Sequence, residues 1–411
     1  MALHGGQGYL LLRNRQLWSL GSVVMIRSIG FGATWPYMAI FFNKDLSTPI
    51  YYVGLIFFAL AIASTFCQIF GGYMADFYGR KRTMAMGSAV GLLIYAGIIA
   101  ELFLHGSFLQ ITVLFVATSI SGGLLFPAAT AKVADVTSSA EREKGYAVYR
   151  IMANAGWAVG PLLGSVIVNS GIVWIFMVVE VTLGIQLILI TVLLSESGKT
   201  GISTVRSGRK LGDFIVIDFG LLIFSAGTLL LMILTSQFSV TLPLYASLKA
   251  NIPLSSIGLI FAVNGIVVVL GQFPVTSLVS KMREVDGVIA GIIIYMVGYL
   301  LVGFSYTLPA LMFDMVIITM GENFVTPTIS SIISRMAPSA KIGRYMAFNG
   351  MSNSAGRALG PAAGSIVLSV LFGNSVAVWT ALDMFGAVSI AIMLAVRHMR
   401  FEEARPVEVS L

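Results

Sequence analysis

The chain predicts an all-α membrane protein with twelve transmembrane helices in two pseudo-symmetric six-helix bundles. Three observations carry that expectation. Of its 411 residues, 57% are apolar and only 10% charged, whereas a soluble domain carries about 25% charged residues. A surface with so few charges needs lipid as its solvent, and a mean hydropathy of +0.92 agrees. The apolar residues fall into runs of about 20, the length that crosses the hydrocarbon slab as an α-helix. The two halves of the sequence also repeat one another.

In order, the spans are 17–41, 51–75, 83–104, 108–131, 146–169 and 172–194, then 218–240, 255–279, 287–306, 308–334, 345–371 and 375–396. Each is the longest apolar run between polar breaks. The stretch 287–334 is too long for one crossing and divides at Ser305-Tyr306-Thr307. Met1 to Gly8 is too short and polar for a signal peptide, so the first span is expected to direct insertion. The polar stretch Ser195 to Gly212, rich in Ser, Gly and basic residues, reads as a flexible cytoplasmic linker. The expected domains are therefore residues 1–194, a linker 195–217, and residues 218–411.

Charge sets the orientation. With the N-terminus inside, twenty of the 25 Lys and Arg residues fall in cytoplasmic segments, among them Arg80-Lys81-Arg82, Lys132, Arg142, Lys144, Arg335 and Arg344. The outer loops hold Lys44 and Lys249, and Arg27, Arg150 and Arg357 lie within spans. The positive-inside rule then puts both termini in the cytoplasm of a multi-pass cell-membrane protein. Because the net charge of +7 is dispersed in short clusters, it orients spans and is not a nucleic-acid patch.

Several function classes fall away. One cysteine, Cys67, leaves no internal disulfide or redox pair. No Walker-type phosphate loop is present and no segment has room for a nucleotide-binding domain, so transport must run on gradients. His4, His105 and His398 are far apart, and no metal set, triad or cofactor motif is visible. Enzyme chemistry is not expected.

Shifting the sequence by 200 aligns 127–165 with 327–365, with eleven of 39 positions identical. They include Pro127/Pro327, Ser139/Ser339, Ala140/Ala340 and the block Gly156-x-Ala-x-Gly160-Pro161-x-x-Gly164-Ser, matched by Gly356-x-Ala-x-Gly360-Pro361-x-x-Gly364-Ser. A shift of 204 pairs Gly54-Leu-Ile-Phe57 with Gly258-Leu-Ile-Phe261. The halves read as duplicated six-helix units. Glycine every fourth residue allows close helix approach, and an internal proline allows bending. Plain packing is the alternative for any single glycine, but the same block at equivalent places in both halves favours a shared mechanical role.

Gly72-Tyr-Met-Ala-Asp76-Phe-Tyr-Gly79-Arg80-Lys81-Arg82 follows the second span. It resembles the G-x-L-a-D-r-x-G-r-k signature of the major facilitator superfamily. The Gly156 to Ser165 block resembles the fifth-span signature of that superfamily's antiporters, closest to the twelve-helix drug–proton antiporter-like group. Asp135, Arg142 and Gly145-Tyr146 are similar to the loop after the fourth span. The resemblance covers the whole chain. It implies that Asp76 sits beside the N-terminus of the eleventh helix and holds the cytoplasmic side shut, where a helix dipole favours an anion by roughly 0.3–1 kcal/mol. Arg80 and Asp135 are expected to pair. The sequence departs from the pattern in two places. Ser280 stands where a second-half copy would have Asp76, and Phe115 and Ser119 stand where proton-coupled drug antiporters carry a fourth-span arginine.

An ionisable group at the bilayer centre costs at least about 2.5–3.5 kcal/mol, so each needs a purpose. The resemblance implies that the first, fourth, seventh and tenth helices line a central cavity. Arg27, Asp314 and Glu322 are then candidates for substrate or ion contact, with Glu322 or Asp314 as proton carrier and Arg27 holding an anionic group or a carboxylate. Arg357 is a further candidate, with a static pair to Asp314 or Asp383 as the alternative. Glu180 is expected to be structural, Glu101 to reach water and Arg150 to snorkel. Phe31, Thr34, Trp35, Tyr37, Gln237 and Asn264 are expected to complete the cavity.

The expected function is proton-coupled efflux of small amphipathic or drug-like compounds by alternating access, in a monomer whose partners are its substrate, protons and lipid. An uptake symporter or facilitator for a nutrient or organic anion is the alternative.

Overall fold

The computed structural model describes residues 14–138, 141–196, 219–338 and 341–398. The expected linker falls outside the described residues from 197 onward, as do the Ser139/Ser339 and Ala140/Ala340 matches. Twelve helices of spanning length make up nearly all that is described: α1 (Arg15–Ile40), α2 (Ile50–Tyr78), α3 (Arg80–Phe103), α4 (Phe108–Val136), α5 (Arg142–Ile167) and α6 (Ile172–Leu193). The second six are α7 (Phe219–Leu248), α8 (Leu254–Val279), α9 (Glu284–Val302), α10 (Leu308–Met336), α11 (Ile342–Val370) and α12 (Ser375–His398). The break expected at 305–307 separates α9 from α10.

Eleven of these helices are long and apolar enough to cross a membrane; α11 is not. Its sequence places Arg344, Asn349, Asn353 and Arg357 among small residues. A helix this polar can lie in a bilayer only where protein or water covers its polar face. Asn349 is fully buried against α7, donating to Thr228 Oγ1 at 2.8 Å and Ser225 Oγ at 3.3 Å. The other spans show the reverse of soluble burial, with Phe66, Leu93, Val166 and Val192 well over half exposed.

The chain forms two compact units. One comprises Met1–Thr48, Ile56–Val205 and Pro253–Gly265; the other comprises Pro49–Leu55, Arg206–Ile252 and Ile266–Leu411. Their internal packing repeats. In the first, α1 packs on α5 and α6, and α3 on α4 and α6; in the second, α7 packs on α11 and α12, and α9 on α10 and α12. Sequence duplication thus reappears as duplicated helix contacts.

Local irregularities fall where the sequence puts them. Asn14 caps α1, accepting from Leu17 N at 3.1 Å and donating to Val136 O at the end of α4 at 2.7 Å. Ser107 and Gln110 form a capping box on α4. A 3-10 turn at Ser236–Phe238 breaks α7. The Gln237 side chain stitches that break. It donates to Ile233 O at 2.7 Å and Gly360 O at 3.1 Å, and accepts from Thr241 Oγ1 at 2.6 Å.

Candidate functional site

The signature segment at the α2–α3 junction closes a network inside the first unit. Arg80, the first residue of α3, pairs with Asp76 one turn earlier on α2 and with Asp135 Oδ2 near the end of α4 at 3.5 Å. The expected Arg80–Asp135 pair is therefore present. A third carboxylate, which the sequence did not reveal, completes the network. Glu196, just past α6, accepts from the backbone N–H groups of Lys81 at 3.0 Å and Arg82 at 3.2 Å. It caps an N-terminus that begins with three basic residues and lacks an acid in its first turn. Gly79 explains itself here. Its φ is +98°, and a Cβ would lie 2.7 Å from Glu196 Oε1. Lys81 Nζ donates to Thr191 O at 2.8 Å, and buried Lys132 Nζ to Ser195 O at 2.5 Å. Gln16 at the start of α1 bonds Leu193 O and the Ser195 N–H. Arg142 is exposed at the start of α5. Gly72 faces Pro127 with room to spare, and the close α2–α4 crossing falls on Gly71 against Gly123.

The glycine–proline blocks are backbone seams. Gly156, Gly160 and Gly164 of α5 lie against the α1 backbone from Met25 to Ala33, where any Cβ would collide. Gly356 of α11 meets the α7 backbone at Leu229, while Gly360 and Gly364 lie against the Ser236, Gln237 and Thr241 side chains, where a Cβ would also collide. The contacts show close helix packing at the block in both halves. The blocks have further mates within each unit. Gly258 packs on Pro161 and Ser165 in the first, and Gly54 on Pro361 and Ser365 in the second. The two repeats found separately in the sequence touch each other.

The charged candidates separate by setting. Arg27 of α1 donates to Ser121 Oγ of α4 at 3.2 Å, and its guanidinium carbon lies 5.3 Å from the Phe126 ring centre. Asp314 on α10 is 3% exposed, with Oδ2 lacking a hydrogen-bond partner. Asp383 on α12 is 6% exposed, with Oδ1 likewise unpartnered. Glu322 is half-buried near Tyr295 and Tyr299. Arg357 contradicts the expected static pair. Its guanidinium is exposed and contacts Met232 Sδ at 3.7 Å, and no ion pair among the described residues joins it to Asp314 or Asp383. Position explains this: Met232 lies on α7, on the face of α11 that carries Gly356.

The aromatic candidates also sort themselves. Phe31 stacks on Trp35 at 4.8 Å and meets Trp157 of α5 at 5.8 Å. Trp35 makes an edge contact with Phe57 of α2 at 5.2 Å, and Phe57 meets Phe115 of α4 at 5.7 Å. Trp157, Phe57 and Phe115 were not legible as partners, because neighbouring helices bring them in. Thr34 and Tyr37 leave the set, since both are buried and Thr34 bonds its own helix at Gly30 O. Gln237 leaves it too, spent on the α7 break. Asn264 on α8 is buried in the first unit.

The Major Facilitator Superfamily profile matches residues 20–281 and 224–410. The Na(+), Li(+), K(+)/H(+) antiporter of Planococcus maritimus is 25% identical over 405 residues, covering 90% of this chain and 92% of its own. The quinolone resistance protein NorA of Staphylococcus aureus (strain COL) is 24% identical, covering 87% and 90%. Among solved structures, a point mutant of the nucleoside transporter NupG superposes with a TM-score of 0.78 at 13% identity, covering 93% of this chain and 99% of that one. Taken with the signature network and the duplicated packing, these matches place the chain in the Major Facilitator Superfamily of membrane transporters, alongside its drug–proton antiporter-like members.

Proposed function

We propose that the protein is a proton-coupled exporter of small amphipathic compounds that works by alternating access, with both termini cytoplasmic. Residues 1–194 and 218–411 are taken as its two bundles, and a single chain as its working form. The observation that carries the coupling is Asp314, a carboxyl at 3% exposure within a span, with one oxygen unpartnered and no cationic partner among the described residues. A carboxyl buried within a span and consumed by no ion pair is free to carry a proton. Glu322, two turns further along α10, is the second carrier candidate. The Phe31–Trp35–Trp157 cluster supplies apolar contact for amphipathic substrates. Asp76, held by Arg80, is taken as the cytoplasmic gate. The relatives support this reading, since one is a quinolone resistance protein and another a cation/proton antiporter.

Uptake of an organic anion is the second reading, favoured by Arg27, which has no acidic partner among the described residues. Proteoliposomes with an acidic lumen separate the two. Under antiport, a fluorescent quinolone gathers in the acidic lumen as protons leave; under symport, it is driven out with them. Asp314→Asn and Glu322→Gln test the carriers. If pH-driven movement survives both substitutions together, the proton assignment fails.

A further inference from the structure

Arg27 is a cation in a spanning helix without an anion to match it. It belongs to none of the ion pairs among the described residues, its Nε is buried without a hydrogen-bond partner, and its bonded neighbours are a hydroxyl and a ring face. A guanidinium in this position costs several kcal/mol unless an anion joins it. The guanidinium lies close against the α4 backbone. Gly122 of α4 faces Nη2, and a Cβ there would come within 3.0 Å of it.

One turn along the same face of α1 stands Phe31, and one turn further Trp35. Phe31 is 38% exposed and Phe126, under the guanidinium, is 43% exposed. Yet α1 is largely enclosed, with α4, α5 and α6 packed around it. From Arg27 to Trp35 its open residues are Arg27, Ser28, Ile29, Phe31 and Trp35, and the two rings follow the cation on one face. The rise between Arg27 and Phe31 is about 6 Å, four residues at 1.5 Å each.

We infer that Arg27, Phe31, Trp35, Phe126 and Trp157 form a subsite for a planar aromatic anion. The guanidinium takes the carboxylate or other oxyanion through two N–H groups, and the rings stack on Phe31 and its neighbours. This names a substrate class for the proposed transporter and rests on that reading for its role in transport. Binding itself needs no gradient.

The test uses three probes of one shape on purified full-length protein: 2-naphthoate, 2-naphthylmethanol and 2-naphthylmethylammonium, titrated calorimetrically. Naphthoate is expected to bind at least about tenfold more tightly than the alcohol, as one charge-assisted pair allows. Arg27→Gln removes that preference and leaves the alcohol's affinity in place, and Arg27→Lys keeps part of it. Equal affinities for the three probes, a preference for the ammonium, absence of naphthoate binding, or an unchanged preference in Arg27→Gln overturns the inference. The wild-type comparison decides even where a variant does not fold. Anion binding without transport would sink the transporter reading alone, and quinolone transport without anion preference would sink only the subsite.

Discussion

Arg80 and Glu284 hold the same place in the two halves and carry opposite charges. Each is the first residue of its helix, α3 or α9. Each pairs with the next-to-last residue of the helix that follows, Arg80 with Asp135 at 3.5 Å and Glu284 with Arg335 at 3.2 Å. The inversion extends further. In the first half, α3 starts basic and receives the Glu196 carboxylate from the end of α6. In the second, α9 starts with Glu284 and Asp286, and Asp286 receives Arg397 from the end of α12 at 2.8 Å. Acids suit a helix N-terminus and bases do not. The second half is therefore settled by its own sequence, while the first depends on carboxylates brought from α2, α4 and α6.

That asymmetry predicts unequal sensitivity. Arg80→Gln strands Asp76 and Asp135 together and should lower initial transport rates by roughly tenfold or more, since charged groups lose their partner. Glu284→Gln should cost little, because Arg335 is 76% exposed and such pairs contribute about 0–1 kcal/mol. Rates in proteoliposomes at matched protein density check this, and equal losses would contradict it.

Glu196 and Gly79 should be coupled. Glu196→Ala removes a helix cap worth about 1 kcal/mol. Gly79→Ala adds left-handed strain of about 1–2 kcal/mol and a clash with the Glu196 carboxylate. The double variant relieves the clash, so its loss of thermal stability should be smaller than the sum of the single losses. Strict additivity in detergent-solubilised protein would remove Glu196 from the network.

The glycine seams should fail alike. Gly156→Leu and Gly356→Leu force α5 from α1 and α11 from α7, at about 1–3 kcal/mol or more. Gly184→Ala on α6 has nothing within 4 Å of its Cβ and should be neutral or stabilising by about 0.5–1 kcal/mol. Melting temperatures of the three variants settle the comparison.

The fold was legible because the bilayer imposes one rule on every span: apolar runs of fixed length between charged breaks. Even the Ser305-Tyr306-Thr307 division could be read. The Arg80–Asp135 pair was also visible, through two family signatures that mark its members separately, after the second and the fourth spans. Contacts between helices distant in the chain were not. Glu196 lies 115 residues from Lys81, and nothing in its local sequence marks it as a cap for α3. Gln237 looks like a cavity amide, but it sits at a helix break, and the signal for that break is Pro243 in the first turn beyond it. The Arg357 pairing failed because depth along a helix says nothing about azimuth, and only the fold shows that its side chain meets Met232.

Alternating access is tested most directly at Phe31, on the exposed strip of α1. With Cys67 replaced by Ser, no native cysteine remains, so Phe31→Cys reports alone. A membrane-impermeant maleimide should label it from either face of oriented vesicles, and reversing the pH gradient should shift the balance between faces. Labelling from one face only, unchanged by pH or substrate, would contradict alternating access.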